Sequence, residues 1–400
     1  MISIEEAKKI ITENLPPREV ETINLTDALG RVLAESVSAP EPSPRYSNSA
    51  MDGFAARWED AQSANESNPI SLPVVGESSA GIPYETKLEK GQSIRISTGA
   101  MIPNGADIVV AQEDTQFDKK AVKILRVTRK HQNIRFKGEE FSDGDVVLKA
   151  GSAIQPSQIG LLSALGIQNI SVFRKPQMAI IVTGTEIKPF DTGIQPWQIR
   201  DSNSVMLSAA IAEAGGEISF SKIVGDDLAR TRSILNEAAQ KIDIVIFSGG
   251  VSVGPHDLVK TAVEDGGFQT LFWRVNQKPG KPLFAAKKNN TLLFGLPGNP
   301  VSAYMCYLVY IHPVIKYFLN TKSNQKIIHG RLKETIHNNF NRDHMLRVKI
   351  ERTGDEIPRI IPIKKQGSHM LTSLTTADGF ILIKAKEKIA ADSVLAVTLF

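Results

Sequence analysis

The chain has 400 residues, more than one ordinary hydrophobic core accommodates, and this predicts two to four domains. Hydrophobic residues make up 42% and charged residues 22%, as in soluble globular proteins; the single cysteine, Cys306, excludes an internal disulfide framework and a Cys-rich zinc site. Forty-seven basic and 43 acidic residues leave a net charge of +4 with no long basic run, so no nucleic-acid partner is expected, while a local basic pocket for a small anion stays open.

Ser3 and Glu6 have the spacing of a capping box, and Ile4, Ala7, Ile10 and Ile11 recur at helical spacing behind them. The start of the chain therefore reads as a charged amphipathic helix rather than a secretory signal. The longest apolar stretch, residues 301–319, contains His312, Pro313 and Lys316 and reads as a buried helix, with Cys306 as an inert buried thiol. No membrane partner and a cytoplasmic location are expected.

A second helix is expected over residues 26–37, carrying Leu29, Val32 and Leu33. Pro40, Pro42 and Pro44 then give a stiff extended connector and a domain crossing. Residues 69–147 turn to short β runs at 72–75, 93–96, 107–110 and 122–125, which predict a small β domain inserted into the first. Residues 154–165 are helical again.

From Gln177 the alternation becomes βαβ. Strands are expected at 178–182, 218–224, 242–247 and 291–294, and helices at 204–214, closed by Gly215-Gly216, and at 228–241. In 218–224, Ile218, Phe220 and Lys222 share one face, and Ser219, Ser221 and Ile223 the other. Apolar strands alternating with helices imply a parallel sheet covered on both faces. Beyond Tyr317, β runs at 345–350 and 380–383 predict a separate C-terminal β domain.

Ligands of such sheets bind at the carboxyl ends of the strands. Two glycine-marked loops fall there. Ser248-Gly249-Gly250-Val251-Ser252-Val253-Gly254 follows the strand 242–247, and its glycines let backbone N–H groups turn toward an anion. In Gly295-Leu296-Pro297-Gly298-Asn299-Pro300, Asn299 suits an N-cap and Pro300 the first helical position, so a helix start again offers donors. Each loop alone is also ordinary turn or helix-start chemistry; two on one sheet make an anion site the better reading. Glu186, Asp226 and Asp257 follow strand ends nearby, and acids beside an anion call for a cation between them, which suggests Mg²⁺ shared with a substrate phosphate. The bland reading of each acid is a cap or a solvated face. Lys278-Pro279-Gly280-Lys281-Pro282 adds two cations in a rigid loop, otherwise a surface turn. Neither G-x-G-x-x-G nor G-x-x-x-x-G-K-[ST] is present, which disfavours a Rossmann dehydrogenase and a P-loop NTPase, and no H-E-x-x-H occurs among the seven histidines.

The combination of Asn48-Ser49-Ala50-Met51-Asp52-Gly53-Phe54, Ser97-Thr98-Gly99-Ala100, the Ser248 loop with Asp257, the Lys278–Pro282 loop, the Gly295 loop and Gln366-Gly367-Ser368-His369 resembles the MoeA family of molybdopterin molybdenumtransferases over essentially the whole chain. The resemblance implies a multi-domain α/β protein: an elongated N-terminal domain (1–45 with 146–172), an inserted β-rich domain (46–145), a central MogA-like parallel-sheet α/β domain (173–321) and a C-terminal β-barrel-like domain (322–400). It implies insertion of molybdate into adenylylated molybdopterin with release of AMP, Mg²⁺ or a similar divalent cation, and a homodimer whose cleft joins the α/β domain of one subunit to the Asp52 region of the other. A molybdopterin adenylyltransferase, molybdoenzyme apoproteins and cofactor carriers are the partners it suggests. Residue by residue it assigns Asp52, Thr98, Glu186, Asp226, Asp257, Lys278 and Lys281 to catalysis. Arg135, Ser248, Gly249, Gly250, Ser252, Gly254, Pro297, Gly298, Asn299, Pro300 and Ser368 fall to substrate binding, and Glu186, Asp226 and Asp257 to the cation.

The chain departs from the family pattern at Thr185, where an acid is usual, at Leu258 in place of a tyrosine, at Glu140 in place of a shorter acid, and at Arg274 in place of a lysine. The alternatives are an adenylyltransferase acting one step earlier, a non-catalytic scaffold or binding protein built on the same domains, and a relative that inserts tungstate.

Overall fold

The run Gln177–Thr183 is apolar at nearly every position because the strand it forms is buried on both faces. It belongs to a six-stranded sheet ordered Glu217–Val224, Gln177–Thr183, Ile244–Ser248, Thr291–Leu296, Phe284–Lys288, Gln269–Trp273. The structure, a computed structural model, describes residues 1–250, 258–322, 326–352, 354 and 357–400.

Alternate residues of the strands face two separate cores. Met178, Ile180, Ile246 and Phe294 pack with Leu207 and Ile211 of the helix Asn203–Ala214, with the helical stretch 300–318, and with Ile4, Ala7 and Ile11 of the helix Ile4–Glu13. Ala179, Ile181, Val245, Phe247 and Leu293 face Ile234, Leu235 and Ala238 of the helix Leu228–Lys241, and Val263 of the helix Leu258–Asp265. Each fully buried aliphatic or aromatic side chain here contributes roughly 1.5–3 kcal/mol.

The first helix forms as its capping box predicts: the Glu6 N–H donates to Ser3 Oγ at 3.1 Å and the Ser3 N–H to Glu6 Oε2 at 2.7 Å. The helix Asn203–Ala214 stops at Gly215, whose φ of +94° suits glycine. The stretch 300–318 is a buried helix with a π-helical segment, Tyr307–Ile311, just ahead of Pro313; the proline ring would crowd the carbonyl of Val309, and the wider turn relieves it. Among the described residues no helix is long and apolar enough to cross a membrane.

The structure corrects two expectations. The sheet is mixed: its first four strands are parallel, Phe284–Lys288 runs against them, and Gln269–Trp273, antiparallel to that strand, resumes their direction. Lys288 pairs with Thr291 across the two-residue turn Asn289-Asn290, and a turn this short can join only antiparallel strands. The helix expected over 26–37 is absent. Asn24 Oδ1 accepts the Thr26 N–H at 3.0 Å and sets a single 3-10 turn, Leu25–Asp27; Gly30 takes φ +75°, and Leu33 then bridges Val172 in extended conformation. The helical spacing of Leu29, Val32 and Leu33 reflects a turn followed by extended chain.

The C-terminal strands Asp343–Glu351, Arg359–Pro362, Ile327–Leu332, Val394–Leu399 and Gly379–Ile383 pair in that order, and the last returns to the first, closing a five-stranded barrel around Leu332, Leu346, Val348, Ile360, Ile381 and Val397. The short strand Gln277–Lys278 adds in parallel to Asp343–Glu351, with Lys278 opposite His344.

Contacts divide the chain into two compact units: Met1–Ile23, Gly30–Ala34 and Ser171–Phe400, which holds the sheet and barrel above, and Asn24–Leu29 with Glu35–Ile170. The second unit contains a six-stranded sheet ordered Ile108–Ala111, Gly53–Ala56, Ser93–Ile96, Ile70–Ser78, Ala121–Ile124, Thr115–Phe117. Phe54, Leu72, Ile108, Val110, Val122 and Ile124 fill one of its faces.

Candidate active site

The carboxyl ends of three parallel strands meet at one point of the sheet. Ser248 ends its strand buried, and Gly249 and Gly250 follow with φ of +93° and +66°. A Cβ on Gly249 would lie 2.7 Å from the Thr183 carbonyl oxygen, and one on Gly250 2.6 Å from Thr183 Oγ1. Both glycines are therefore required by conformation and by close approach to the neighbouring strand. The second loop touches the first: a Cβ on Gly298 would stand 3.6 Å from the Gly249 Cα.

Asn203, at the start of the helix Asn203–Ala214, ties the two loops. Its buried amide donates to Ser248 Oγ at 2.7 Å and to the Gly298 carbonyl at 2.8 Å. Asp201 holds this helix start by accepting the Ser204 N–H at 3.0 Å and the Ser204 hydroxyl. Thr183 Oγ1 and Asn203 Oδ1 are buried without a hydrogen-bond partner among the described residues.

The loop donors differ from the simple expectation. The Gly249 N–H is spent on the Leu296 carbonyl at 3.1 Å. Asn299 occupies the N-cap position and Pro300 the first helical one, but the Asn299 side chain makes no cap bond. Its Nδ2 instead donates to Ser368 Oγ at 3.0 Å, and the Val301 N–H donates to the Ser368 carbonyl at 3.1 Å. The Gln366–His369 segment thus takes a donor that the helix start would otherwise offer to a ligand. Pro297 is buried. Ser252, Gly254 and Asp257 lie outside the described residues.

Glu186 is exposed and folds its carboxylate over Gly184, whose added Cβ would meet Glu186 Oε2 at 2.8 Å. Asp226, on the loop after the adjacent strand, accepts the Thr185 hydroxyl at 3.3 Å. Among the described residues no three His, Cys, Asp or Glu side chains gather as a metal-binding group. Glu186 and Asp226 thus make no closed cation site between them.

Cations gather where the lysine loop pairs with the strand Asp343–Glu351. The lysine loop is pinned from beneath: Gln277 Nε2 donates to the Gly280 carbonyl at 3.0 Å, and the Tyr310 hydroxyl donates to Gln277 Oε1 at 2.5 Å. Gly280 has φ +90°, and a Cβ there would strike Cys306 Sγ at 2.4 Å. This loop is built in, not a free surface turn. Lys278 is half-buried with its Nζ 3.2 Å from the centroid of the Phe340 ring, while Lys281 is exposed. Burial, and then the charges of Arg342 and Arg347, hold the Lys278 pKa below the usual lysine value. Arg347 is fully buried, and burial lowers its pKa to about 10. Its Nη2 reaches the Gly367 carbonyl at 3.4 Å, and its Nε and Nη1 have no partner among the described residues. His344 is held to a pKa of about 4 by burial and then by Lys278, Arg347 and Arg342. Asp343 is paired with Lys384 at 3.1 Å, and among the described residues no carboxylate pairs with Lys278, Arg342 or Arg347. A buried guanidinium without a carboxylate partner, beside an unneutralised lysine, gives this region a positive potential that favours an oxyanion.

The MoeA N-terminal region (domain I and II) matches residues 2–166, the probable molybdopterin binding domain residues 179–317, and the MoeA C-terminal region (domain IV) residues 329–400. The molybdopterin molybdenumtransferase of Staphylococcus epidermidis is 34% identical over 388 residues, covering 96% of this chain and 91% of that protein. The Bacillus subtilis protein of the same name is 33% identical, covering 96% and 90%. The chain belongs to the MoeA family. Among solved structures, the molybdopterin biosynthesis MoeA protein of Pyrococcus horikosii superimposes with a TM-score of 0.86 at 32% identity, covering 100% of this chain and 99% of that one.

In this MoeA-family chain the remaining expected residues lie in the second compact unit. The Asp52 carboxylate accepts the Thr98 N–H at 2.7 Å and the Thr98 hydroxyl at 3.0 Å, and these bonds, the backbone one first, lower its pKa. Arg135 is exposed on the short strand Ile134–Arg135, opposite Asn48. Sequence reasoning missed Asn203, Arg342, His344 and Arg347. Asn203 has the guise of an ordinary helix-start residue. Arg347 sits in the alternating run of Asp343–Glu351 and reads as an outward polar residue; Met345, sharing its face, was the one apolar signal that this face is covered.

Proposed function

We propose that this protein inserts molybdate into adenylylated molybdopterin, releasing AMP and forming molybdenum cofactor. The observation that carries the reading is the Asn299–Ser368 bond: it ties the second glycine loop to the segment whose Gly367 carbonyl accepts from the buried Arg347. One loop pair suits a phosphorylated pterin and the other face a tetrahedral oxyanion, which are the two substrates of such a transfer.

In this reading Lys278, Arg347 and Lys281 attract molybdate, and Ser368 orients it. The glycine loops, locked by Asn203, hold the terminal phosphate. An oxygen of molybdate or of water attacks phosphorus, the phosphoanhydride P–O bond breaks and AMP leaves; the two dithiolene thiols bond to molybdenum, which stays at the same oxidation state as one of its oxygens departs with their protons as water. No protein nucleophile is needed; the residues position the reactants and stabilise charge. Mg²⁺ characteristically uses one or two carboxylates together with phosphate oxygens, so Glu186 and Asp226 would serve it only once substrate is bound, with Asp257 as a third candidate. A homodimer in which a second subunit brings Asp52, Thr98 and Arg135 to this site, and a cytoplasmic location, complete the proposal.

The test is molybdate-dependent AMP release from adenylylated molybdopterin, run with and without Mg²⁺. AMP release that requires molybdate supports the assignment. Adenylylation of molybdopterin from ATP without any molybdate effect would overturn it.

A further inference from the structure

We propose that Phe340 is the positioning residue of Lys278: its ring face fixes the ammonium for the oxyanion without neutralising it. This rests on the function proposed above. Lys278 Nζ lies 3.2 Å from the Phe340 ring centroid, inside the range where the ring quadrupole attracts a cation. No carboxylate among the described residues pairs with Lys278, and the charges acting on it, Arg342 and Arg347, are both positive. A lysine in such company needs something to hold it. An acid would do so at the cost of the charge that attracts the substrate; an aromatic face holds the cation and leaves its charge intact.

The ring is itself held. Phe340 stands at the tip of the turn before the strand Asp343–Glu351. Its N–H donates to Asn338 Oδ1 at 3.2 Å, and its carbonyl accepts the Lys386 N–H at 3.1 Å. Asn338 is buried and clamps the turn through its amide, which reaches the carbonyls of Arg342 and Lys384, each at 2.8 Å. The His344 ring meets Phe340 edge to face, at 5.8 Å and 86°. The other half of the contact is fixed by the strand pairing of Lys278 with His344. Two short backbone segments thus bring one ring face under one ammonium, and Phe340 remains 40% exposed, so the ring is not there to fill the core.

The experiment compares the full-length protein with Phe340→Leu, Phe340→Tyr, Lys278→Met and a version carrying pentafluorophenylalanine at 340, which keeps the shape and reverses the quadrupole. Molybdate alone is titrated by equilibrium dialysis, and AMP release is measured against molybdate and against adenylylated molybdopterin. Loss of the ring face is expected to weaken molybdate binding and raise its KM roughly 3- to 10-fold. It should leave kcat within about twofold and the KM for adenylylated molybdopterin unchanged. Phe340→Tyr should restore wild-type values, and pentafluorophenylalanine should resemble Phe340→Leu. Wild-type molybdate affinity in Phe340→Leu or in the pentafluoro protein would overturn the proposal, as would a Phe340→Tyr protein as weak as Phe340→Leu. A wild-type protein that binds molybdate but releases no AMP would defeat the functional reading alone, and the dialysis would still decide the role of Phe340.

Discussion

The Asn203 amide donates to Ser248 Oγ at 2.7 Å and, from the same nitrogen, to the Gly298 carbonyl at 2.8 Å, so one buried side chain sets the spacing of both loops. Asn203→Ala leaves a buried hydroxyl and a part-buried carbonyl without this donor. The expected cost is about 1–3 kcal/mol of stability, read from urea unfolding. AMP release should fall on the order of tenfold or more as the loops lose register. Unchanged stability together with an unchanged rate would show that the loops hold themselves.

Gly250→Ala adds a methyl where Thr183 Oγ1 would be 2.6 Å away and φ is +66°. Strain of about 1–3 kcal/mol is expected, with a loss of activity larger than the loss of stability predicts. Thermal melts beside steady-state AMP release would check this. Gly193→Ala is the control, because nothing lies within 4 Å of its added methyl.

Arg347 is a buried cation with two nitrogens lacking partners, which is a cost to folding. Arg347→Met should therefore unfold at the same or a higher urea concentration than wild type. Its molybdate-dependent rate should nonetheless fall on the order of 100-fold or more, as for loss of one buried electrostatic stabiliser. A stable variant with wild-type turnover would remove Arg347 from the site.

His344 gives a pH signature. In the unfolded chain it takes up a proton near pH 6.5; in the fold, burial and neighbouring cations delay this to about 4. The unfolded state binds more protons between these values, so stability falls as pH drops from 6.5 to 4, by up to about 3 kcal/mol. Urea unfolding at pH 7 and pH 4.5 should show the decline, and His344→Gln should flatten it. Equal slopes in the two proteins would assign the acid sensitivity elsewhere.

The central sheet was legible because its inner strands, Gln177–Thr183, Ile244–Ser248 and Thr291–Leu296, carry apolar runs, and the helix Leu228–Lys241 falls where its 3.6-residue pattern predicts. The antiparallel edge was not read, because of the two strands flanking the turn Asn289-Asn290 only 291–294 was recognised; its partner Phe284–Lys288 is short and ends in two lysines. Residues 26–37 misled because a turn and an extended strand can present apolar side chains at helical intervals. The glycine loops, Asp52 with Thr98, and the lysine loop declared themselves as local motifs. The cationic partners did not. Arg342, His344 and Arg347 acquire meaning only from the pairing of Gln277–Lys278 with Asp343–Glu351, a contact between segments about 65 residues apart that local pattern cannot contain.

The contact of Ser368 with Asn299 and Val301 also has a consequence for biosynthesis. The sheet and both of its loops are complete in the chain by residue 301, whereas the barrel that supplies Ser368 closes only when Val394–Leu399 pairs with Ile327–Leu332 and Gly379–Ile383. As the chain leaves the ribosome, the glycine loops precede Ser368, which bonds to the second of them, and the barrel closes later still, when Val394–Leu399 pairs.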